Sequence, residues 1–424
     1  MGVFMKRGFL QSIVAGGALA LTGASAQAAD LAAKAKAPPA KCKVEITNPG
    51  YGPSIKANPD PFCFDSPIGE IYVGGAISGY GFVGSNPGAY NSVVGGLDSK
   101  DRVDFSNAQA WIQKADGPFQ FFVQAGLYAF PSLGLPIFST LDQTQYLYGP
   151  LPVAYGKILL GDNWSIQGGR MTTLIGSELP FTFQNINIQR GLLFNQENVI
   201  NHGVQLNYTN GPLSASVAVT DGFFSNELKW VTGAVTYKLD DSNTIGINGG
   251  FNTGRSNVLN RSLRYQFATP LFGQNSGIIS VNYTYANGPW TITPYLQYTT
   301  VEKDLGIGIT RSASTYGAAI LANYAFNEFF SLGARGEYIE QDGRKNSGTT
   351  SLLYGAGSSA FSFTITPTFT WGRYFLRGEY SLVQLSGVSK VYDGFGIPVA
   401  GTGFGRLGTK SEQQRFLIET GITF

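Results

Sequence analysis

Histidine, cysteine, methionine and charge are all scarce in this chain. Of 424 residues one is His, two are Cys, three are Met, and only 13% are Asp, Glu, Lys or Arg. An ordinary soluble domain carries about twice that charge. Long apolar runs are missing too. Beyond the first 30 residues nothing approaches the ~18 consecutive apolar residues that a membrane helix needs, which excludes a helical membrane protein. Disorder is excluded by an abundance, 30 Phe and 22 Tyr. Collagen is excluded because the 56 glycines follow no three-residue period. What remains is an aromatic, glycine-rich chain with a mean hydropathy of −0.01. That composition suits a membrane β-barrel, whose strands alternate across the bilayer rather than run apolar through it.

The first residues point to export. Lys6 and Arg7 precede a small apolar stretch, and Ala26-Gln27-Ala28 forms an A-x-A cleavage pattern. Residues 1–28 therefore read as a cleaved signal peptide, with Ala29 as the mature start. Removing Lys6 and Arg7 takes the formal charge from +2 to 0, which gives no reason to expect a nucleic-acid partner. In an oxidising compartment Cys42 and Cys63 are expected to form a disulfide. Closing a loop of about 20 residues is worth roughly 3 kcal/mol in the chain-entropy model. Two Cys and a distant single His do not make a zinc set, and no metal or cofactor is expected.

Residues 29–66 differ from the rest. Lys34, Lys36, Lys41 and Lys43 stand among many prolines, and proline withholds a ladder donor. The segment reads as a periplasmic leader outside the sheet, pinned by the disulfide. Its lysines suit contact with the cell wall, and a partial plug is another use. A solvated leader without function is the simplest reading.

From residue 67 to 424 the dominant pattern is period two. Phe361, Phe363, Ile365, Phe369 and Trp371 alternate with Ser362, Thr364, Thr366, Thr368 and Thr370, and Val281, Tyr283 and Tyr285 share one face. Such alternation over about ten residues marks strands with one apolar and one polar face. Tight turns fall at 115–118, 162–163, 210–212, 240–243, 287–289, 327–328 and 372–373. Longer segments lie near 84–102, 130–151, 172–198, 222–226, 254–275, 304–310, 341–358 and 385–411. Short turns alternating with long loops predict an antiparallel transmembrane barrel of about sixteen strands (14–18), with both chain ends on the turn side. The stretches near 103–114 and 227–238 alternate poorly. Aromatics at strand ends (Trp164, Trp230, Tyr237, Trp290, Tyr324, Phe326, Trp371 and Tyr374) are expected to form interfacial girdles.

Two resemblances follow from particular residues. Phe416, Ile418, Thr420, Ile422 and Phe424 share one face, and an amphipathic last strand ending in Phe resembles the C-terminal signature of Gram-negative outer-membrane proteins. The stretch Gly169-Arg170-Met171-Thr172-Thr173-Leu174-Ile175-Gly176-Ser177-Glu178 is followed by Gln189-Arg190-Gly191-Leu192-Leu193-Phe194, then His202-Gly203-Val204, then Val219-Thr220-Asp221-Gly222. In order and spacing these resemble the OmpL-like β-barrel porin family, and the leader is closer in style to α-proteobacterial porins. The resemblance implies an integral outer-membrane porin for passive diffusion of small hydrophilic solutes and ions, in contact with membrane lipid and lipopolysaccharide. A homotrimer is implied by analogy with porins of this size.

In a porin a long loop folded inward narrows the channel. Segment 172–198 is the candidate, its Glu178, Arg190 and Glu197 expected to face the lumen. Strand parity then points Arg335, Glu337, Arg373, Arg377, Glu379, Arg415 and Glu419 inward, because an Arg facing lipid at midplane would cost roughly 2–4 kcal/mol. These arginines would form a basic strip opposite an acidic loop, a transverse field across the pore. The alternative is wall ion pairs, Arg335 with Glu379 or Arg377 with Glu419, that set stability only. On the field reading, Arg377→Ala changes ion selectivity and leaves the fold intact. An enzyme is disfavoured: the residue two after His202 is Val204, where an outer-membrane phospholipase would carry Ser, and His202 reads as a strand-end packing residue. A solute-specific barrel, or a closed structural or adhesive one, is the alternative function.

Overall fold

Alternation gives each strand one face for lipid and one for water, and backbone groups at membrane depth must all be paired. In the computed structural model, which describes residues 42, 49–58, 61–88, 99–256, 271–345 and 348–424, closure of the sheet meets both demands. The expected signal peptide and most of the leader lie outside the described residues.

The strands follow in chain order. A short β1 (Phe62–Ser66) precedes β2 (Gly69–Gly84), β3 (Asp101–Lys114), β4 (Phe119–Tyr128), β5 (Val153–Leu160) and β6 (Trp164–Thr172). Then come β7 (Ile200–Asn210), β8 (Leu213–Thr220), β9 (Trp230–Lys238), β10 (Asn243–Asn252), β11 (Ser276–Asn287) and β12 (Trp290–Val301). The chain ends with β13 (Ala313–Ala325), β14 (Phe330–Gln341), β15 (Ser359–Trp371), β16 (Tyr374–Ser386), a hairpin of β17 (Lys390–Tyr392) and β18 (Pro398–Gly401), and β19 (Glu412–Thr423). Strands β2 to β16 and β19 form a closed sixteen-stranded antiparallel barrel. Every ring neighbour is a sequence neighbour except the closing pair, in which β19 lies beside β2 from Arg415↔Gly84 to Thr423↔Ala76. Reciprocal backbone bonds between Phe424 and Gly75, 2.8 and 2.9 Å, seal the end of that seam. Short turns join the strands at one end and the longer connections, among them 129–152 and 173–199, at the other.

Strand β1 departs from expectation. Although the leader reads as non-sheet, Phe62–Ser66 pairs with β2 from Phe62↔Val73 to Ser66↔Gly69, on the edge that β19 covers further along. Pro61 and Pro67 flank this strand, leaving its own donors intact. Cys42 is joined to Cys63 within it.

Burial follows the pleat. On β15, Phe361 and Phe363 are exposed outward, whereas Ser362, Thr364 and Thr366 are fully buried inward. At the turn end Trp164 packs on Tyr208, Trp290 on Tyr324, and Tyr324 on Phe326, with ring centroids 4.6–4.8 Å apart. Trp371 and Tyr374 stand exposed beside them. Trp230 is a correction: it is buried at the loop end and donates Nε1 to Gln274 O at 2.7 Å, away from any girdle. No helix among the described residues is long and apolar enough to cross a membrane.

Candidate functional site

The connection 173–199 packs against inner-face residues of the barrel. Its apolar side chains Phe181, Phe183, Ile186, Leu192 and Leu193 are buried. Trp111 of β3 stacks on Phe183 at 5.8 Å. On β14, Gly333 leaves room for Ile186, whose Cγ2 would lie 2.3 Å from a Cβ at that position.

Lacking a strand partner, the backbone of this connection needs other groups for its donors and acceptors. Charged wall residues supply them. Glu337 accepts from the amides of Leu192 (3.0 Å) and Leu193 (3.3 Å) and from Ser362 Oγ (2.7 Å). Glu379 accepts from the amides of Ile188 and Gln189 and from Thr366 Oγ1. Arg335 donates to Gln189 O (2.8 Å), Glu178 Oε1 (2.6 Å) and Thr364 Oγ1 (3.2 Å), and also pairs with Glu337. Arg377 grips Glu419 (2.7 Å) and the carbonyls of Thr182 (2.6 Å) and Asn185 (2.9 Å). Glu419 in turn accepts from Thr182 Oγ1 at 2.6 Å. Arg415 reaches Ser132 O (2.9 Å), Leu135 O (2.6 Å) and Gln189 Oε1 (3.1 Å). Ionised groups make the stronger hydrogen bonds, and these tie a long irregular segment to a regular wall.

The wall pairs only partly follow the sequence expectation. Arg377 and Glu419 pair, but Arg335 takes Glu178 and Glu337 rather than Glu379. Arg373 is not on the wall; it stands exposed in the turn between β15 and β16, since parity ends where the strand ends. The loop charges are buried rather than open to solvent. Glu178 is held by Arg335 and the Gly191 amide (2.7 Å). Arg190 donates to Leu179 O (3.1 Å), Pro180 O (3.2 Å) and Ile188 O, and burial lowers its guanidinium to about 10. Among the described residues neither carboxylate oxygen of Glu197 has a hydrogen-bond partner, and burial, with Glu178 and Glu337 nearby, pushes it well above the ordinary carboxylate range. Its neutral form is favoured.

A second loop joins this assembly unannounced by any sequence pattern. Connection 129–152, which carries helix α1 (Thr140–Tyr146), runs beside Arg190, with Arg190 N bonded to Pro131 O (2.8 Å) and Leu133 N to Arg190 O (2.9 Å).

The inner face of β6 to β10 differs. Ser165, Gln167, Gln205, Asn207, Ser216, Thr232 and Asn248 point inward here, all uncharged. Gln205 Nε2 and Ser216 Oγ both donate to Asn207 Oδ1, at 2.6 and 2.8 Å. The loop touches this arc through apolar and backbone groups rather than charges: Leu174 packs with Ala218 and Ala234, and Gly176 N donates to Asn248 Oδ1 at 3.0 Å.

The motif residues that carry the resemblance meet at the loop end of β6, β7 and β8. Arg170 Nε donates to His202 Nε2 at 3.0 Å, which leaves Nδ1 to donate to Asp221 Oδ2 at 2.8 Å. The His202 ring stacks on Phe224 at 4.4 Å. This cluster fastens three strand ends.

Solved structures of similar shape are outer-membrane proteins. OmpT of Vibrio cholerae superposes with a TM-score of 0.53 at 12% identity, over 85% of this chain and 99% of that one. The outer-membrane channel DcaP of Acinetobacter baumannii gives 0.52 at 11% identity, over 85% and 99%. The anion-selective porin from Comamonas acidovorans gives 0.51 at 12% identity, over 84% and 99%. A comparison with curated protein sequences found no match. Residues 70–424 match the family model described as β-barrel porin-2, OmpL-like, and the chain belongs to that family of outer-membrane porins.

Proposed function

We propose that small hydrophilic solutes cross this outer-membrane channel along the uncharged arc of β6 to β10, with segment 173–199 as its constriction. The observation that carries this reading is the contrast in the inner wall. Four carboxylates (Glu178, Glu337, Glu379 and Glu419) and four guanidinium groups (Arg190, Arg335, Arg377 and Arg415) are buried: Arg335 pairs with Glu178 and Glu337, Arg377 pairs with Glu419, and Glu379, Arg190 and Arg415 bind backbone, hydroxyl and side-chain amide groups. Buried charges equal in number and opposite in sign project little net field, so the transverse field expected from strand parity gives way to weak ion selectivity. Polar hydroxyl and amide groups on the remaining arc can replace part of a solute's hydration without demanding one sign of charge.

The finer attributes follow as parts of the same proposal. Residues 1–28 direct export and are removed, the barrel contacts lipid and lipopolysaccharide, and a homotrimer is its assembled form; OmpT of Vibrio cholerae, of like fold, is described in a trimer form. No catalytic step is assigned, since His202 is engaged by Arg170 and Asp221 with no serine two residues on.

Single-channel recording of the purified protein in a planar bilayer tests the reading. Stable conductance steps with a reversal potential near zero across a salt gradient are expected. Silence from a heat-modifiable, folded barrel overturns the open channel, leaving a closed or solute-gated barrel. Strong selectivity overturns the uncharged route.

A further inference from the structure

Leader residues 49–58 do not lie free in the periplasm. They enter the barrel from the turn end and pack beneath segment 173–199. Tyr51 packs its ring on Phe183, centroids 5.6 Å apart. The backbone at Gly52 lies against the loop so closely that a Cβ there would sit 2.8 Å from Gln184 O. Ser54 and Ile55 are 3% and 2% exposed, although neighbouring Lys56 is open to solvent. Ser54 Oγ donates to Asn323 Oδ1 on the inner face of β13 at 3.0 Å. Ile55 joins the buried cluster that includes Ala76 of β2, Trp111 of β3 and Phe375 of β16. Lys56 Nζ bonds Glu328 O at 3.1 Å, in the short turn between β13 and β14, which fixes the level of the segment at the turn end of the barrel.

These anchors lie on opposite sides of one arc. The ring runs β13, β14, β15, β16, β19, β2, β3, and the leader touches both ends of that sequence of strands. It therefore bridges the arc whose wall charges hold segment 173–199. The Cys42–Cys63 disulfide ties the leader to β1, which is itself paired with β2. A chain tethered at the wall and docked by a ring, a buried aliphatic side chain and a hydroxyl is a built element of the lumen.

We infer that residues 49–58 form a second constriction of the channel, on its periplasmic side, which closes the charged arc and sets both pore size and ion preference. The proposal rests on the channel reading above but concerns a different segment. With the leader in place solutes keep to the uncharged arc, and Lys56 is a cation that the leader presents at the periplasmic mouth.

Two full-length variants test this in planar bilayers, each first checked for heat-modifiable migration. Replacing residues 49–58 with Gly and Ser of equal length keeps the disulfide and removes the docking groups; conductance is expected to rise at least about twofold, because the occupied arc opens to water. Lys56→Glu keeps Tyr51, Ser54 and Ile55 and is expected to move the reversal potential toward cation preference, whereas Lys390→Glu, exposed on the β17–β18 hairpin at the opposite end of the barrel, serves as the control. Unchanged conductance in the first variant and an unmoved reversal potential in the second overturn the inference while the channel reading stands. A silent wild type with a conducting Gly/Ser variant overturns the partial constriction, because the leader is then a full plug that leaves no arc open. Silence of both folded proteins overturns the channel and the leader's role with it.

Discussion

The two arcs of the inner wall are built from the same kind of strand yet do opposite things with polarity. On β14, β15, β16 and β19 the inward residues include Arg335, Glu337, Arg377, Glu379, Arg415 and Glu419, all buried under loop backbone. On β6, β7, β8 and β9 the polar ones are Gln, Asn, Ser and Thr, several of them bonded to one another, with Met171, Ala218 and Ala234 between them. A charge on a barrel wall is thus no marker of a pore. Here it marks where irregular chain must be held, because loop amides and carbonyls at membrane depth need strong partners and charged side chains supply them. The uncharged arc carries no such charged anchors.

The comparison breaks most sharply if a central anchor is removed. Arg335→Ala leaves Glu178 and Glu337 facing each other without their shared cation. Removing one partner of a buried ion pair costs about 3–5 kcal/mol. The temperature at which the barrel loses its compact gel migration should fall well below that of the wild type, and single-channel current should become noisy as the loop loosens. For the same reason Arg377→Ala is expected to weaken docking and not merely to alter selectivity, since it also holds the Thr182 and Asn185 carbonyls. A wild-type melting temperature in both variants would show that the charged arc is solvated wall rather than anchor.

How much of this was legible in the sequence divides along the same line. Alternation and turn spacing are local, and they placed the sixteen strands, the short-turn end and the inward parity of Arg335, Arg377 and Arg415. Parity says which way a side chain points but not what it meets. Glu178 and Arg335 are 157 residues apart, and nothing near either announces the other. Arg373 falls outside the wall because the alternation of β16 does not extend one residue back from Tyr374 into the turn. Proline content bears on the leader's strand pairing alone: prolines withhold ladder donors, yet they do not bar Tyr51, Ser54 and Ile55 from packing inside a barrel, so the choice between a solvated leader and a partial plug is not legible in composition.

A smaller effect is expected from filling the notch that receives the loop. Gly333→Leu puts a branched side chain where Ile186 already sits. Overpacking of this kind costs about 1–3 kcal/mol, and the loop rather than the wall should yield, because its backbone is not part of the ladder. The expected result is a modest loss of thermal stability together with a changed conductance step. Gly336→Leu on the same strand, whose nearest neighbour is Ile320 Cγ2 at 3.8 Å, should leave conductance unaltered. Equal effects from both would remove the notch as a determinant of loop position.

Glu197 supplies a pH test of the charged arc. Burial raises this carboxyl, so the folded state holds its proton more tightly than the unfolded chain does. The sign follows from that: the penalty is absent below the ordinary carboxylate range and grows as pH rises above it. Glu197→Gln should match the wild type near pH 4 and exceed it at neutral pH by about 1–3 kcal/mol, the cost of an unsatisfied buried group. Gel-shift melting at the two pH values measures this. A variant less stable than wild type at neutral pH would mean that the carboxylate is charged and partnered in solution.

The smallest change in stability is expected on the uncharged arc, and it decides where the water is. Ser216 is buried by its neighbours and donates to Asn207 Oδ1 at 2.8 Å. In Ser216→Asp the Asn207 amide can rotate to present its NH₂ group to the new carboxylate when the Gln205 amide, which donates to the same oxygen, rotates with it. If this face borders a water-filled route, the added charge keeps most of its hydration and costs less than about 1 kcal/mol, while a fixed negative charge beside the route moves the reversal potential toward cations. If the face is dry, the same carboxylate is a desolvated ion and the barrel loses several kcal/mol, as an uncompensated buried charge must. Melting and selectivity should therefore change in opposite measure, and a large loss of stability with no change in selectivity would move the solute route away from β6 to β10.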